Sequence, residues 1–403
     1  MKKYWLTLYP DTFLWVRQNE GCIYNAVNFS KIRFENMGEL AELSKELLNI
    51  DSLYRIELSE KSLQNQAVKE WINQIVGSAS GKLVEDDGLN KRPVSLKPEL
   101  KLQDGVEYYK WEHKQGIDGN IIHNLHKLVF HINGSSYGSN DYARQTIFPV
   151  KSTEVLDGKR ILSFINNARC STYLSEIILI GDISSYPDFN GLQSAILDKG
   201  LKRISVYCLA NDFLSYMEGV SDWENDKTLY TVLLSDYSVL DKIMEVSYAS
   251  SVSFVFMVRS VEEYERAMLC IEKNKLTRVE IVPLYTGSNL SFFEENLYMD
   301  AEGISEIELS KRDVFIRETI NIFSFGNLTV LPNSEVYANL NDLSIGNIDE
   351  TPFSIVYREM TEGKSWFRTR RQEPCCNCIY QWLCPSPSNY ELIIGKSNLC
   401  FIK

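Results

Sequence analysis

A regular alternation of short apolar strands and amphipathic helices between residues 125 and 324 constrains the fold most. Val261–Glu272, for example, has helical periodicity and follows an apolar run. Because helical crossovers bring successive strands together in parallel, this alternation predicts an α/β fold. Six units are too few for a closed eight-stranded barrel, so we expect an open, partial (β/α)6 barrel or a wound sheet. The predicted strands are Leu128–Ile132, Ile177–Ile180, Ile204–Cys208, Tyr230–Leu234, Val252–Val258 and Arg278–Pro283.

The chain has 403 residues, which is more than one ordinary domain contains. We therefore divide it into four parts by pattern. Residues 1–90 form a small mixed domain, 91–124 a polar linker, 125–324 the alternating region, and 325–403 a tail. In the tail we predict a hairpin from Leu328–Leu331 and Glu335–Ala338, followed by a helix over Phe353–Thr361.

The first part of the chain predicts strands followed by helices. Tyr4–Tyr9, Phe13–Arg17 and Cys22–Val27 are strand-like, and Asn19-Glu20-Gly21 suits a hairpin turn. Apolar residues then recur at helical spacing, most clearly from Ala67 to Val76. Three strands followed by helices indicate a winged-helix-like topology.

Composition excludes several classes of function. The net charge of −12 argues against nucleic acid as a partner, because a nucleic-acid surface must be cationic. The first apolar run is broken by Pro10 and Asp11, and no stretch approaches the ~18 apolar residues of a membrane span. We therefore expect a cytoplasmic protein without a membrane partner.

The tail concentrates five of the nine cysteines. Cys375, Cys378, Cys384 and Cys400 have the spacing C-x2-C-x5-C-x15-C, and we expect Cys376 to point elsewhere. Thiolates are soft ligands, so this set favours an iron–sulfur cluster or zinc over calcium or magnesium. Spacing alone leaves the choice between those two open. Disulfides or metal-free buried thiols are further alternatives, although disulfides are rare in the cytosol.

The cysteine spacing resembles the SPASM domain at the C-terminus of peptide-modifying radical SAM maturases, as does the segment Leu343–Ile348. Members of that family usually hold two auxiliary 4Fe–4S clusters there. The four cysteines match the outer cluster, whereas Ala338 and Ser388 stand where cysteines of the other cluster are expected. The resemblance therefore implies one 4Fe–4S cluster, with zinc as the alternative.

The alternating region resembles the partial barrel of radical SAM enzymes but lacks their catalytic cysteines. That family carries C-x3-C-x2-C after the first barrel strand, where three thiolates hold the iron that cleaves S-adenosylmethionine. Here Asn133–Ser139 follows that strand, and no cysteine lies between Cys22 and Cys170. The stretch Gly181–Ser185, after the second strand, is a degenerate form of the family's cofactor loop. We therefore expect neither S-adenosylmethionine binding nor enzyme activity.

Together these features resemble pseudo-radical-SAM proteins of ribosomal-peptide (RiPP) maturation systems. The resemblance implies a non-catalytic protein that binds a ribosomal precursor peptide, a genuine radical SAM maturase, or both. Two alternatives remain open. The chain could be an electron-transfer subunit that uses one auxiliary 4Fe–4S cluster, or a zinc-stabilised binding protein.

The N-terminal domain is similar to the peptide-recognition element of many such maturases, which binds a leader peptide as an added strand. Strand addition needs an unpaired strand edge and apolar pockets for alternate side chains. Ile23 and Tyr24 on the third predicted strand, with Trp71 and Ile75 on the helix, are the candidate peptide-binding residues. For any single one of the four, an ordinary core position is the favoured interpretation.

Overall fold

The computed structural model describes residues 2–86, 88, 92–100, 105–116, 118–199, 204–219, 228–246 and 252–402. Its elements comprise two small N-terminal sheets with helices and one large sheet with helices, which the tail strands join. No helix among the described residues is long and apolar enough to span a membrane.

The N-terminal region forms two separate three-stranded antiparallel sheets around one core. The two helices pack their apolar faces into that core, which includes Trp71 and Ile75. Its elements are β1 (Lys3–Leu8), β2 (Thr12–Arg17), β3 (Glu20–Asn25), β4 (Lys31–Glu35), α1 (Glu39–Leu48), β5 (Arg55–Ser59), α2 (Gln66–Gly77) and β6 (Gly81–Glu85).

The pairing of these strands differs from the simple winged-helix prediction. β1 lies at the centre of one sheet, in the order β5-β1-β6, and does not join β2 and β3. The second sheet has the order β2-β3-β4, so its third strand is β4 rather than the segment from Cys22 to Val27. The described strands therefore do not confirm the winged-helix topology.

The predicted linker contains a helix, α3 (Gly105–Lys114). This helix lies near the tail, since the ring of His113 lies 4.5 Å from that of Tyr357. The part of the chain between 91 and 124 is thus partly packed against the body of the protein.

The alternating region forms six parallel strands in sequence order, and all six predicted strands are confirmed. Helices lie between the strands and bury one face of the sheet in the largest apolar core. The elements are β7 (Lys127–His131), α4 (Asn140–Ala143), α5 (Gly158–Ala168), β8 (Glu176–Ile180), α6 (Phe189–Leu197), β9 (Ile204–Leu209), α7 (Ala210–Glu218), β10 (Thr228–Leu234), α8 (Leu240–Val246), β11 (Val252–Val258), α9 (Val261–Asn274) and β12 (Val279–Pro283).

Three helices then lead into the tail, which extends the same sheet. The strand that follows them pairs parallel with β7, and the predicted hairpin is confirmed beside it. The sheet is open, with β12 and the tail's last strand at its two edges. The elements are α10 (Leu290–Asn296), α11 (Ala301–Ser305), α12 (Lys311–Thr319), β13 (Asn327–Val330), β14 (Glu335–Tyr337), β15 (Gly346–Asn347), α13 (Pro352–Thr361) and α14 (Asn389–Ile394).

One face of the second N-terminal sheet, β2-β3-β4, packs against the tail. Phe13, Trp15 and Tyr24 join Ile379 and Leu383 of the cysteine region in a common apolar cluster. The Tyr24 hydroxyl also donates to the carbonyl of Leu309 at 2.7 Å and accepts from the amide of the same residue at 2.6 Å. The N-terminal sheet therefore forms one wall of the region that contains the four tail cysteines.

Candidate metal centre

The first three candidate ligands lie on one compact loop. A 3-10 turn over Cys375–Asn377 closes when the amide of Cys378 donates to the carbonyl of Cys375 at 3.1 Å. The amide of Cys384 then donates to the carbonyl of Tyr380, also at 3.1 Å. These turns keep the three thiols on one loop, which we call the ligand loop (residues 375–384).

The fourth candidate reaches the ligand loop because the end of the chain pairs with Met299. The amide of Met299 donates to the carbonyl of Leu399, and the amide of Phe401 donates to the carbonyl of Met299, both at 2.9 Å. Cys400 lies between these two bonds and forms an isolated bridge with Met299. The fold thereby brings together thiols that the sequence separates by fifteen residues.

All four cysteines line one cavity of about 450 Å³, and the side chain of Cys376 is not among the lining residues. Each of the four is half-buried. Among the residues that the structure describes, no group of three or more His, Cys, Asp or Glu side chains is arranged to hold a metal ion. The structure thus gathers the predicted ligands around a shared space, and the metal itself stays a prediction.

Three of the four sulfurs accept hydrogen bonds. The amide of Tyr380 donates to Cys378 Sγ at 3.4 Å, and the amide of Ile402 donates to Cys400 Sγ at 3.2 Å. The Arg370 guanidinium donates to Cys375 Sγ at 3.6 Å. Such donors favour the thiolate form that metals require, so they fit a metal-binding role for these residues.

Arg370 places a buried positive charge beside the thiols. It pairs with Glu391 at 2.8 Å, and the two side chains are only 10% and 3% exposed. Its Nε atom also donates to the carbonyl of Pro385. A fixed cation at this position offsets part of the negative charge that four thiolates would bring into the cavity.

Burial, in contrast to these donors, disfavours the thiolate form of the free cysteines. It raises the pKa of Cys384 to about 12 and raises the pKa of both Cys378 and Cys400. A thiol with a raised pKa holds its proton at neutral pH, so a metal that binds here must displace protons. The chemistry of the donor set, four soft sulfur ligands with N–H donors around one cavity, fits an iron–sulfur or zinc site.

The two residues expected in place of further cysteines have structural roles. Ala338 is buried in the main core. Ser388 precedes α14 as its N-cap, and its amide donates to the carboxylate of Glu391 in a capping box. Neither position offers a thiol, and the number of clusters stays a prediction.

The loop after β7, residues 133–139, contains none of the cysteines that the predicted resemblance would require there. The side chain of Asn133 donates to the carbonyl of Asp182 and accepts from the amide of the same residue, both at 2.9 Å. The Asn133 side chain therefore connects the loop after β7 to the loop after β8, residues 181–185.

The chain's own backbone lies directly against this loop. A Cβ atom on Gly134 would stand 2.2 Å from the carbonyl oxygen of Ser152, and one on Gly138 would stand 2.2 Å from that of Val150. Only glycine allows so close an approach without a shift. We call residues 149–152 the covering segment, because it packs across both glycines.

The four candidate peptide-binding residues do not form an open groove. Ile23, Trp71 and Ile75 lie together in the N-terminal core, whereas Tyr24 faces the tail. Their exposed fractions are 0%, 2%, 0% and 0% in the order Ile23, Trp71, Ile75 and Tyr24. Moreover, β3 is paired on both sides, so it has no free edge for an added strand. In this structure all four residues therefore lie at ordinary core positions and do not line a peptide-binding groove.

β4 is one of the two strands at the edges of its sheet, in the order β2-β3-β4, and sequence reasoning did not identify it. β4 pairs with β3 on one side and, among the described residues, with no strand on the other. Its sequence, Lys-Ile-Arg-Phe-Glu, alternates buried Ile32 and Phe34 with more exposed neighbours. Strict alternation of this kind is the signal that could have identified it.

Comparisons with known proteins gave few matches. No family model and no curated protein sequence matches the chain. Three solved structures of Streptococcus suis SuiB align over nearly the whole chain. SuiB bound to precursor peptide SuiA has 12% identity and a TM-score of 0.48, covering 100% of this chain and 99% of that one.

The other two structures of this protein are less similar. SuiB bound to S-adenosylmethionine has 12% identity and a TM-score of 0.43, with 98% of each chain covered. A further SuiB structure has 10% identity and a TM-score of 0.41, covering 98% of this chain and 100% of that one. Because these identities and TM-scores are low, the function has to be argued from the residues of this chain.

Proposed function

We propose that this protein is a non-catalytic, pseudo-radical-SAM partner in the maturation of a ribosomal peptide. The observation that carries the proposal is the loop after β7. It has no cysteine, and the covering segment approaches Gly134 and Gly138 to within contact distance. Three thiolates are needed to hold the iron that cleaves S-adenosylmethionine, and this loop supplies none, so it favours loss of that chemistry.

The tail cysteines support the second half of the proposal, one 4Fe–4S cluster held by Cys375, Cys378, Cys384 and Cys400. Each cysteine of such a cluster binds a different iron, so its sulfurs stand farther apart than the four around one zinc ion. The four thiols line a common cavity of about 450 Å³, which offers room for the larger centre.

We propose the outer edge of β4 as the peptide-docking site. In an antiparallel pair, alternate residues exchange hydrogen bonds with the partner strand. The bonds of Asn25 to Ser30 and of Asn36 to Asn19 set that alternation in β3 and β4. The N–H and C=O groups of Arg33 therefore point away from β3, toward a strand that a precursor peptide could add.

A matched pair of variants tests the docking edge. Arg33→Pro removes the outward N–H, whereas Arg33→Ala keeps it, and both lose the exposed ion pair with Glu20. We expect the proline variant to weaken binding of the labelled precursor peptide by about tenfold, or about 1.4 kcal/mol, and the alanine variant to bind nearly as the unaltered protein does. Fluorescence anisotropy measures both affinities.

The proposed function itself is tested by co-purification. The full chain should retain a precursor peptide, a radical SAM maturase from the same organism, or both. Binding to neither would reject the proposal. Equal weakening by the proline and alanine variants would reject only the β4 edge as the docking site.

A second function, electron transfer, is favoured by the partial exposure of the four cysteines. A cluster near the surface can exchange electrons with a partner, whereas a fully enclosed one is better suited to a structural role. Redox titration of the reconstituted protein separates the two functions. A cluster that cannot be reduced within a biological range would rule out electron transfer.

A further inference from the structure

The cavity that the four cysteines share is completed by the N-terminal domain. Arg17, Glu20 and Arg33, from the second N-terminal sheet, line it together with the ligand loop. The proposed peptide-docking strand and the proposed metal site therefore meet at one place. This raises the question of which contacts join them.

Arg17 makes the direct connection between the two. Its Nε atom donates to the carbonyl of Cys376 at 3.1 Å, and its Nη2 atom donates to Oε1 of Gln381 at 3.0 Å. Both acceptors belong to the ligand loop. Because a guanidinium donates in a fixed plane, two such bonds fix the loop's orientation as well as its distance.

The chain of bonds continues from Gln381 to a candidate ligand. Gln381 is buried, and its Nε2 atom donates to the carbonyl of Arg370 at 2.6 Å. Arg370 in turn donates to Cys375 Sγ. Three side chains thus link strand β2 of the N-terminal domain to a sulfur of the candidate metal site.

A second set of contacts leads from the same hairpin to the docking edge. Arg17 and Glu20 flank the two-residue turn between β2 and β3. The Glu20 carboxylate accepts a hydrogen bond from Arg33, whose backbone forms part of the β4 edge. The hairpin end that holds the ligand loop therefore also contacts the strand proposed to receive the peptide.

We propose that Arg17 is a positioning residue for the metal site, and that filling this site and seating the N-terminal sheet are energetically coupled. This inference rests on the proposed assignment of the four tail cysteines as ligands. Coupling is reciprocal, so whatever orders the hairpin stabilises the filled site, and the filled site orders the hairpin. A peptide added at β4 would then bind better to the metal-loaded protein.

Anaerobic reconstitution of the full chain with ferrous iron and sulfide tests the proposal. We expect Arg17→Ala to hold iron about 10- to 100-fold more weakly than the unaltered protein, the usual effect of losing a residue that orients metal ligands, and therefore to release it to a chelator faster. Arg17→Lys, which keeps the charge but not the paired donors, should be intermediate. Arg55→Ala is the matched control, because Arg55 bonds to the carbonyl of Pro93 and does not line the cavity.

Hydrogen exchange supplies a readout that does not depend on iron release. Reconstitution should slow amide exchange across residues 12–25 in the unaltered protein, and Arg17→Ala should abolish that slowing. Equal melting temperatures of the iron-free proteins would show that the variant still folds. If it melts earlier, the change in exchange on reconstitution still decides the question.

The outcomes of these experiments distinguish the proposed coupling from the proposed assignment of the four cysteines as metal ligands. If the unaltered chain takes up no iron and sulfide, the assignment of the cysteines fails and the coupling fails with it. If the unaltered chain loads but Arg17→Ala releases iron at the same rate and shows the same slowing of exchange, only the coupling is overturned.

Discussion

At the scale of single residues, the buried histidine of β7 gives the clearest pH dependence. His131 is 2% exposed, and among the described residues its Nδ1 atom has no hydrogen-bond partner. Burial lowers the pKa of His131 to about 3, far below the ~6.5 of an unfolded chain. Between these values the unfolded state binds the extra proton, so this residue makes the fold less stable as the pH falls.

His131→Leu should remove that dependence. For one proton, the free energy of unfolding falls by about 1.4 kcal/mol per pH unit below ~6.5. The difference between variant and unaltered protein should therefore grow in the variant's favour from pH 7 to pH 5. Chemical denaturation at a series of pH values measures it, and two parallel pH profiles would contradict the expectation.

The pair of Arg370 and Glu391 makes a prediction about stability. Removing one member of a buried ion pair leaves the other charge unpaired, which costs about 3–5 kcal/mol. We therefore expect Arg370→Met to lower the free energy of unfolding by that amount. Lys3→Met is the matched control, because Lys3 pairs with Glu57 at an exposed site, where a pair contributes at most about 1 kcal/mol. Similar losses of unfolding free energy in Arg370→Met and Lys3→Met would contradict the interpretation of Arg370 and Glu391 as a buried ion pair.

At the scale of elements, the covering segment depends on the glycines beneath it. Gly134→Ala would place a Cβ atom 2.3 Å from the amide nitrogen of Ser152, so either the segment shifts or the loop opens. We expect a loss of about 1–3 kcal/mol. Gly77→Ala, in α2 with nothing within 4 Å of the added Cβ, should be neutral or stabilise by up to about 1 kcal/mol. Thermal unfolding measures the stability of both variants. Equal changes in stability would show that the close contact of Gly134 with Ser152 does not constrain the fold.

The sequence predicted the six barrel strands well because each is a short apolar run between clear helical patterns. Val252–Val258, for instance, has the same bounds in prediction and structure. The N-terminal sheets were harder, since strand pairing is set by contacts between distant segments. β1 pairs with β5 and β6, more than forty residues away, which local periodicity does not reveal.

The helix in the linker was missed for a related reason. Isolated short helices have little stability of their own, so α3 depends on packing against the tail. Its amphipathic pattern is weak, with Trp111 exposed and Glu112 buried. Composition therefore indicated a linker although a helix is present.

At the scale of the whole molecule, the candidate metal site is assembled from parts far apart in the sequence. The four cysteines could be identified from their spacing alone. The contact of Arg17 with Cys376 joins residues separated by 359 positions, and no local pattern predicts it. The same is true of Met299, which positions Cys400. The cysteines that share the cavity could therefore be singled out from the sequence, whereas the residues that position them could not, and their role as ligands stays a prediction.

The proposed function requires one inorganic centre in the tail and none at the loop after β7. Measuring iron and acid-labile sulfide in the anaerobically reconstituted full chain tests it most directly, with Cys384→Ser as the comparison. We predict iron and sulfide equivalent to a single 4Fe–4S cluster per chain, and none in the variant. Zinc in place of iron, enough iron for a further cluster, or iron that persists after the substitution would contradict the account.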